Sequence, residues 1–222
     1  MQLFVAIVIS YLIGSIPFGL LVAKMKGIDI RKVGSGNIGA TNVFRCVGKA
    51  WGSLTLFLDL LKGLLPVLFL APLVDKASLG GVEIAAELWP VLVGIFAIIG
   101  HNFPIFLKFK GGKGVATSAG VVIGLAPWLV LVGLVVWILF TFATGYVSIG
   151  SIAAAIAIAV MSWLPIPFPS LPPKLQVSQT VAITLTLLAA LIIWRHRHNL
   201  VRLKNGTENR FNLRKSEKPN PT

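Results

Sequence analysis

Gly34-Ser35-Gly36-Asn37-Ile38-Gly39-Ala40-Thr41-Asn42-Val43-Phe44-Arg45 is a polar, glycine-rich stretch lying between two long apolar runs, near residues 2–23 and 52–74. In that position it reads as a water-facing connection between membrane-spanning helices, and this reading decides the fold. Its glycines free the backbone to turn N–H groups toward a ligand. Ser35, Asn37, Thr41, Asn42 and Arg45 add donors suited to phosphate oxygens. If residues 37–45 are helical, Asn37, Thr41 and Arg45 share one stripe, with Ser35 at or near the N-cap. An ordinary polar connector is the alternative, but it has no need of so many small polar groups.

The rest of the chain agrees with a membrane setting. Of its 222 residues, 56% are hydrophobic and only 12% charged, and the mean hydropathy is +0.88. A soluble domain of this size would carry far more charge, so the expectation is an all-α, polytopic integral membrane protein. The net charge of +13 fits basic cytoplasmic loops rather than a nucleic-acid partner. The single cysteine, Cys46, excludes an intrachain disulfide framework.

Seven transmembrane helices are expected, near residues 2–23, 52–74, 88–107, 114–126, 128–144, 150–165 and 176–194. Pro127 is nearly all that divides the fourth from the fifth, and both are short for a crossing of about 20 residues. A tilted or partly re-entrant fourth helix is the alternative. Lys24, Lys26, Arg31, Lys32, Arg45 and Lys49 follow the first span, and Lys108, Lys110 and Lys113 follow the third. Arg195, Arg197, Arg202, Lys204, Arg210, Arg214, Lys215 and Lys218 follow the seventh. Only Lys76 and Lys174 fall on the opposite side, where Asp75, Glu83 and Glu87 also sit. The positive-inside rule therefore places the N-terminus outside and the C-terminus in the cytoplasm. The first span has no basic residue before it, unlike a cleavable signal peptide. Residues 1–210 form the membrane domain; 211–222 are a polar, proline-bearing cytoplasmic tail expected to lack fixed structure. The alanine-rich run 151–159 suits close helix packing.

Further polar clusters fall on the same expected face. Lys110, Gly111, Gly112, Lys113 and Gly114 could form a backbone nest with added positive charge, though not a Walker A loop; a tight basic turn is the plainer reading. Tyr146 and Ser148 lie in a short interhelical loop. His196, Asn199 and Arg202, followed by Glu208, could share one face of an extended helix, or simply anchor it at the interface. Asp59 and Lys62 stand inside the second span, either as a self-neutralising pair or as part of a site. His101 ends the third span, but the position five residues on is Phe106, so no His-x-x-x-x-Asp base pair exists. No Ser-His-Asp grouping or metal-ligand cluster is readable.

These motifs resemble the bacterial acyl-phosphate:glycerol-3-phosphate acyltransferase family (PlsY-type). The likeness is carried by residues 34–45, by Asp59-Leu60-Leu61-Lys62-Gly63, by Gly100-His101-Asn102-Phe103-Pro104, by 110–117, and by Arg195-His196-Arg197-His198-Asn199. The resemblance implies a multi-pass enzyme of the bacterial inner membrane with its active site on the cytoplasmic face. Glycerol-3-phosphate would be the acceptor and a fatty acyl-phosphate the donor, supplied by an upstream acyl-phosphate-forming enzyme. Lysophosphatidic acid and inorganic phosphate would be the products, and no cofactor or metal would be required. It implies substrate contacts at Ser35, Asn37, Arg45, Lys113, Ser148, His196 and Asn199.

Lys113, His196, Arg45 and Ser148 are then the candidates for the catalytic role. Gly34, Ser35, Gly36, Asn37, Thr41, Asn42, Lys110, Gly111, Gly112, Gly114, Asn199 and Arg202 are candidates for substrate binding. Asp59, Lys62, His101 and Glu208 are further candidates. An acyl-phosphate is already activated, so gathering and orienting two anionic substrates could replace a strong side-chain base. The competing reading is a small organophosphate or anion transporter, which would place its site near the midplane between repeated halves.

Overall fold

The computed structural model describes residues 2–75, 78–79, 82–164, 172 and 175–211. The tail from 212 onward, with Arg214, Lys215 and Lys218, lies outside the described residues, as do Lys76 and Lys174. Among the described residues, each apolar run read from the sequence is mostly helical. The described residues divide into two compact units, one running to Val121 and the other from Val122 to Phe211.

The first unit begins with α1 (Leu3–Ser15) and α2 (Phe18–Lys24), separated where Pro17 cannot continue the hydrogen-bond ladder. A short α3 (Ala40–Cys46) leads to α4 (Lys49–Leu65). Pro66 then disrupts the i→i−4 pattern, and the chain continues as one π-helical turn (Pro66–Leu70) and a 3₁₀ turn (Ala71–Leu73). A minimal antiparallel pairing of Ser78–Leu79 with Val82–Glu83 precedes α5 (Trp89–Asn102). The helix α6 (Val115–Leu125) starts in this unit and ends in the other.

Small residues let these helices approach backbone to backbone. A Cβ at Gly14 would collide with the Ala97 carbonyl, and one at Gly100 with the Tyr11 carbonyl, so α1 and α5 meet closely. The hydroxyls of Ser10 and Tyr11 reinforce the contact by donating to Val93 O (2.6 Å) and Phe103 O (2.9 Å). Gly63 and Gly120 do the same for α4 and α6 against the carbonyls of Thr117 and Leu60.

The second unit contains α7 (Pro127–Thr144), α8 (Val147–Trp163), α9 (Gln179–Arg195) and α10 (Arg197–Lys204). Pro127 occupies the first turn of α7, where its missing N–H costs nothing. Gly150 of α8 fits against Trp137 and Thr141 of α7. Ala154, Ala155 and Ala159 are buried, as expected of a packing face. The α9 and α10 axes differ by 49°, the bend falling at His196.

Among the described residues, four segments are long and apolar enough to cross a bilayer: Leu3–Lys24, Lys49–Leu73, Ala86–Leu107 and Pro127–Thr144; the bent α9–α10 pair adds a fifth. The α6 and α8 helices are shorter. At 1.5 Å per residue, 11-residue α6 covers only about 16 Å of a hydrocarbon core of about 30 Å.

Candidate active site

Residues 34–45 fold as a loop and a short helix, so the condition for a stripe through Asn37, Thr41 and Arg45, a helix over 37–45, is met only in part. The helix begins only at Ala40, capped by Gly39, so Ser35 is not its N-cap and Asn37 stands outside it. Thr41 and Arg45 alone keep the i, i+4 spacing. Gly34 and Gly36 adopt φ of 59° and 70°, left-handed values that glycine reaches without strain.

The loop is held from within by Asn42, a candidate ligand group whose side chain is buried. Its Nδ2 donates to the carbonyls of Ile30, Val33 and Asn37, and its Oδ1 accepts from Ser35 N at 2.9 Å. Asn37 Oδ1 accepts from Gly39 N, and Gly36 N donates to Val33 O. Asn42 is therefore the loop's internal brace rather than an outward donor, and the N–H groups of Ser35 and Gly36 also have partners inside the protein. What the loop presents is its side chains: Ser35, Thr41 and Arg45, all half-buried.

The glycine loop at 111–114 is moulded on the end of α5. Gly112 N donates to His101 O at 3.1 Å, and a Cβ at Gly112 would strike the His101 ring. Gly114 takes φ of +81° with the Asn102 amide beside it. Lys113 is half-buried in this loop; Lys110, at its edge, is exposed.

Behind the loop, Asp59 Oδ1 lies 2.8 Å from Lys62 Nζ and 3.6 Å from His101 Nδ1, and all three side chains are buried. Lys62 also donates to Ile16 O at 2.8 Å, the carbonyl at the α1–α2 break. Asp59 and Lys62 thus form a paired element inside the helices, with His101 as a third member that sequence spacing gave no reason to join to them.

In the second unit the candidate residues converge on Glu208. Its Oε1 accepts from Ser148 Oγ (3.0 Å) and from Asn199 Nδ2, and its Oε2 from Arg202 Nε (2.7 Å). Burial pushes the Glu208 carboxyl up, but the hydrogen bonds from Asn199, Arg202 and Ser148 outweigh it and hold it below the usual range. Glu208 reaches this position because residues 207–211 turn back toward the α7–α8 turn. Thr207 N donates to Arg202 O and Phe211 N to Gly145 O, at 2.8 and 2.7 Å.

His196 is buried at the α9–α10 bend, not on the face of one extended helix. Its Nδ1 lies 2.8 Å from Ile192 O. A carbonyl only accepts, so Nδ1 carries a proton and donates to it. Asn199 and Arg202 remain on one face of α10.

Among the described residues, no three of His, Cys, Asp and Glu converge in a way that could hold a metal ion. The chemistry available is cationic and hydrogen-bonding: Arg45 and Lys113 in one unit, His196, Ser148, Asn199 and Arg202 in the other. Among the described residues, the carboxylates of Asp59 and Glu208 are already paired.

The sequence profile of the glycerol-3-phosphate acyltransferase family matches residues 4–206. Proteins of that name from Trichlorobacter lovleyi and Aquifex aeolicus are 48% and 41% identical, covering 91% and 92% of this chain and 94% and 97% of their own lengths. A crystal structure of PlsY (YgiH), an integral membrane glycerol 3-phosphate acyltransferase in its glycerol 3-phosphate form, superposes with a TM-score of 0.78. It is 38% identical and covers 95% of this chain and 96% of its own. The lysophosphatidic acid form superposes with a TM-score of 0.76. The chain belongs to the glycerol-3-phosphate acyltransferase family of integral membrane enzymes.

Proposed function

We propose that this protein transfers a fatty acyl group from an acyl-phosphate to the 1-hydroxyl of glycerol-3-phosphate. Lysophosphatidic acid and inorganic phosphate are the products. The acceptor and product follow the two ligand forms of the similar PlsY structures. The donor follows from one observation: the candidate residues offer cations and hydrogen-bond donors, while Glu208 is engaged by Ser148, Asn199 and Arg202. A site with anion-binding groups and an occupied carboxylate suits a donor that is both anionic and already activated.

Arg45 and Lys113 hold phosphate groups and meet the charge that shifts onto the leaving phosphate. Ser35, Asn37 and Thr41 add hydrogen bonds at the first loop, and Lys110, Gly111 and Gly114 at the second; Gly112, whose N–H is committed to His101 O, only lets the loop pack close. Ser148 and Asn199, oriented by Glu208, place the glycerol hydroxyl. The hydroxyl oxygen bonds to the acyl carbonyl carbon as the carbon–oxygen bond to phosphate breaks. The hydroxyl proton passes to a phosphate oxygen of the donor, and His196 assists as a donor from Nε2, which requires the imidazolium form. Orientation of this kind lowers a barrier by about 7–11 kcal/mol.

The enzyme works in the bacterial inner membrane with seven spans, its N-terminus outside and its site facing the cytoplasm. An acyl-phosphate-forming enzyme supplies the donor. The test is purified protein given labelled glycerol-3-phosphate with either acyl-phosphate or acyl-CoA. Lysophosphatidic acid from acyl-phosphate alone is expected. Product from neither donor defeats the acyltransferase assignment, and product only from acyl-CoA defeats the donor assignment.

A further inference from the structure

We infer that Asp59, Lys62 and His101 form a buried positioning triad that sets the geometry of the 111–114 loop, and so of Lys113, without touching substrate. This rests on the reading that the loop holds a substrate phosphate group. The three side chains are 3%, 2% and 5% exposed, too deep to meet a polar substrate at the water interface. An ionic group of this kind within apolar helices is costly unless each charge has a partner in place.

The triad ties together three separate pieces of backbone. Lys62 bridges Asp59 and the Ile16 carbonyl at 2.8 Å each, fixing α4 to the break between α1 and α2. Asp59 in turn faces Nδ1 of His101 at 3.6 Å, an electrostatic contact rather than a hydrogen bond, and so favours this setting of the imidazole at the end of α5.

His101 is the template for the loop. Its carbonyl accepts the Gly112 N–H, and its ring fills the space that a Cβ on Gly112 would need. Gly111 backs onto the carbonyls of His101 and Asn102, and a Cβ there would collide with the first. With no side chain between loop and template, any rotation of the His101 ring moves the Gly112 backbone and its neighbour Lys113. The Asp59 carboxylate beside Nδ1 opposes that rotation. The glycines at 111 and 112 are needed for close approach to α5, which explains a Gly-Gly pair better than a nest alone, since the Gly112 N–H is turned inward.

The test is steady-state kinetics on full-length protein in detergent, read as KM against kcat for each substrate, beside the thermal unfolding midpoint. His101→Ala and Gly112→Ala are each expected to raise KM for a phosphate-bearing substrate by up to about 10²-fold, the effect of a displacement near 1 Å. In combination they are non-additive, because Gly112→Ala acts by displacing a ring that His101→Ala has already removed. Asp59→Asn should give the same KM effect; if it fails to fold, the charge-neutral pair Asp59→Asn with Lys62→Met replaces it. His101→Asn, which returns an amide N–H near Nδ1, should recover part of the loss. A merely structural role would lower the midpoint or the active fraction and leave KM unchanged. Lys113→Ala separates the two readings. If it raises KM while the folded triad and Gly112 variants do not, the positioning role is overturned and the phosphate reading stands. If Lys113→Ala leaves KM unchanged, the phosphate reading falls, and this inference with it.

Discussion

Glu208 accepts a hydrogen bond from Ser148 at 3.0 Å although 60 residues separate them in sequence. The same carboxylate receives Asn199 and Arg202, so one acidic side chain orients three of the residues assigned to the site. Its side chain is only 6% exposed, which makes each of those bonds expensive to lose.

Glu208→Gln should therefore damage both stability and activity. The amide keeps the shape but removes the charge, turning charge-assisted bonds into neutral ones and setting an N–H against one of its donors. A loss of about 1–3 kcal/mol is expected. Thermal unfolding in detergent, with kcat/KM on the surviving folded fraction, reads both effects; Glu208→Asp, which shortens the reach but keeps the charge, should fall between.

The same carboxylate predicts an acid limb of stability. Its pKa in the folded protein lies below the ordinary 4.5, so folding favours the ionised form. That contribution is fully present above pH 4.5 and is lost as pH falls through the folded value. Unfolding midpoints measured downward from pH 6 should drop less steeply for Glu208→Gln than for the parent. Parallel curves would show that the pairing contributes nothing.

Removing one member of the Asp59–Lys62 pair should cost more than removing both. Lys62→Met leaves a carboxylate buried among helices and should destabilise by about 3–5 kcal/mol. Asp59→Asn combined with Lys62→Met should recover part of that stability, though not the activity. Denaturation midpoints of the two single variants and the double variant decide it.

Glycines differ in what they do. Gly63→Ala and Gly120→Ala would each drive a methyl into the backbone of the facing helix, separating α4 from α6, at a cost of about 1–3 kcal/mol. Gly145 has φ of +78° and open space around it, so Gly145→Ala meets only the left-handed strain, about 1–2 kcal/mol. Adding a larger side chain separates them: Gly120→Leu should worsen sharply, while Gly145→Leu should match Gly145→Ala.

Much of this was legible from residue order because its physics is local. Apolar runs long enough to need lipid specify helices, Pro17 and Pro127 specify where helices stop or start, and clustered Gly, Ser, Asn and Lys mark polar connections whatever surrounds them. The residues 34–45, 110–117 and 195–208 could therefore be singled out, and with them the family. Their spacing did not reveal which side chains face outward. Asn42 looks like Asn37 in sequence, yet it is the brace of its loop. Helical periodicity suggested a stripe through Asn37 and an unbroken helix at His196, but the helix starts at Ala40 and the α9–α10 bend falls at His196.

What the sequence by itself determined was a membrane-embedded helical protein with polar, glycine-rich segments at 34–45 and 110–117. Composition and short-range backbone preference suffice for that. Tertiary structure alone decided that Glu208 gathers Ser148, Asn199 and Arg202, and that His101 joins Asp59 and Lys62 behind the 111–114 loop. Those are contacts between distant parts of the chain, chosen because a buried charge or polar group must find a partner wherever packing brings one within reach.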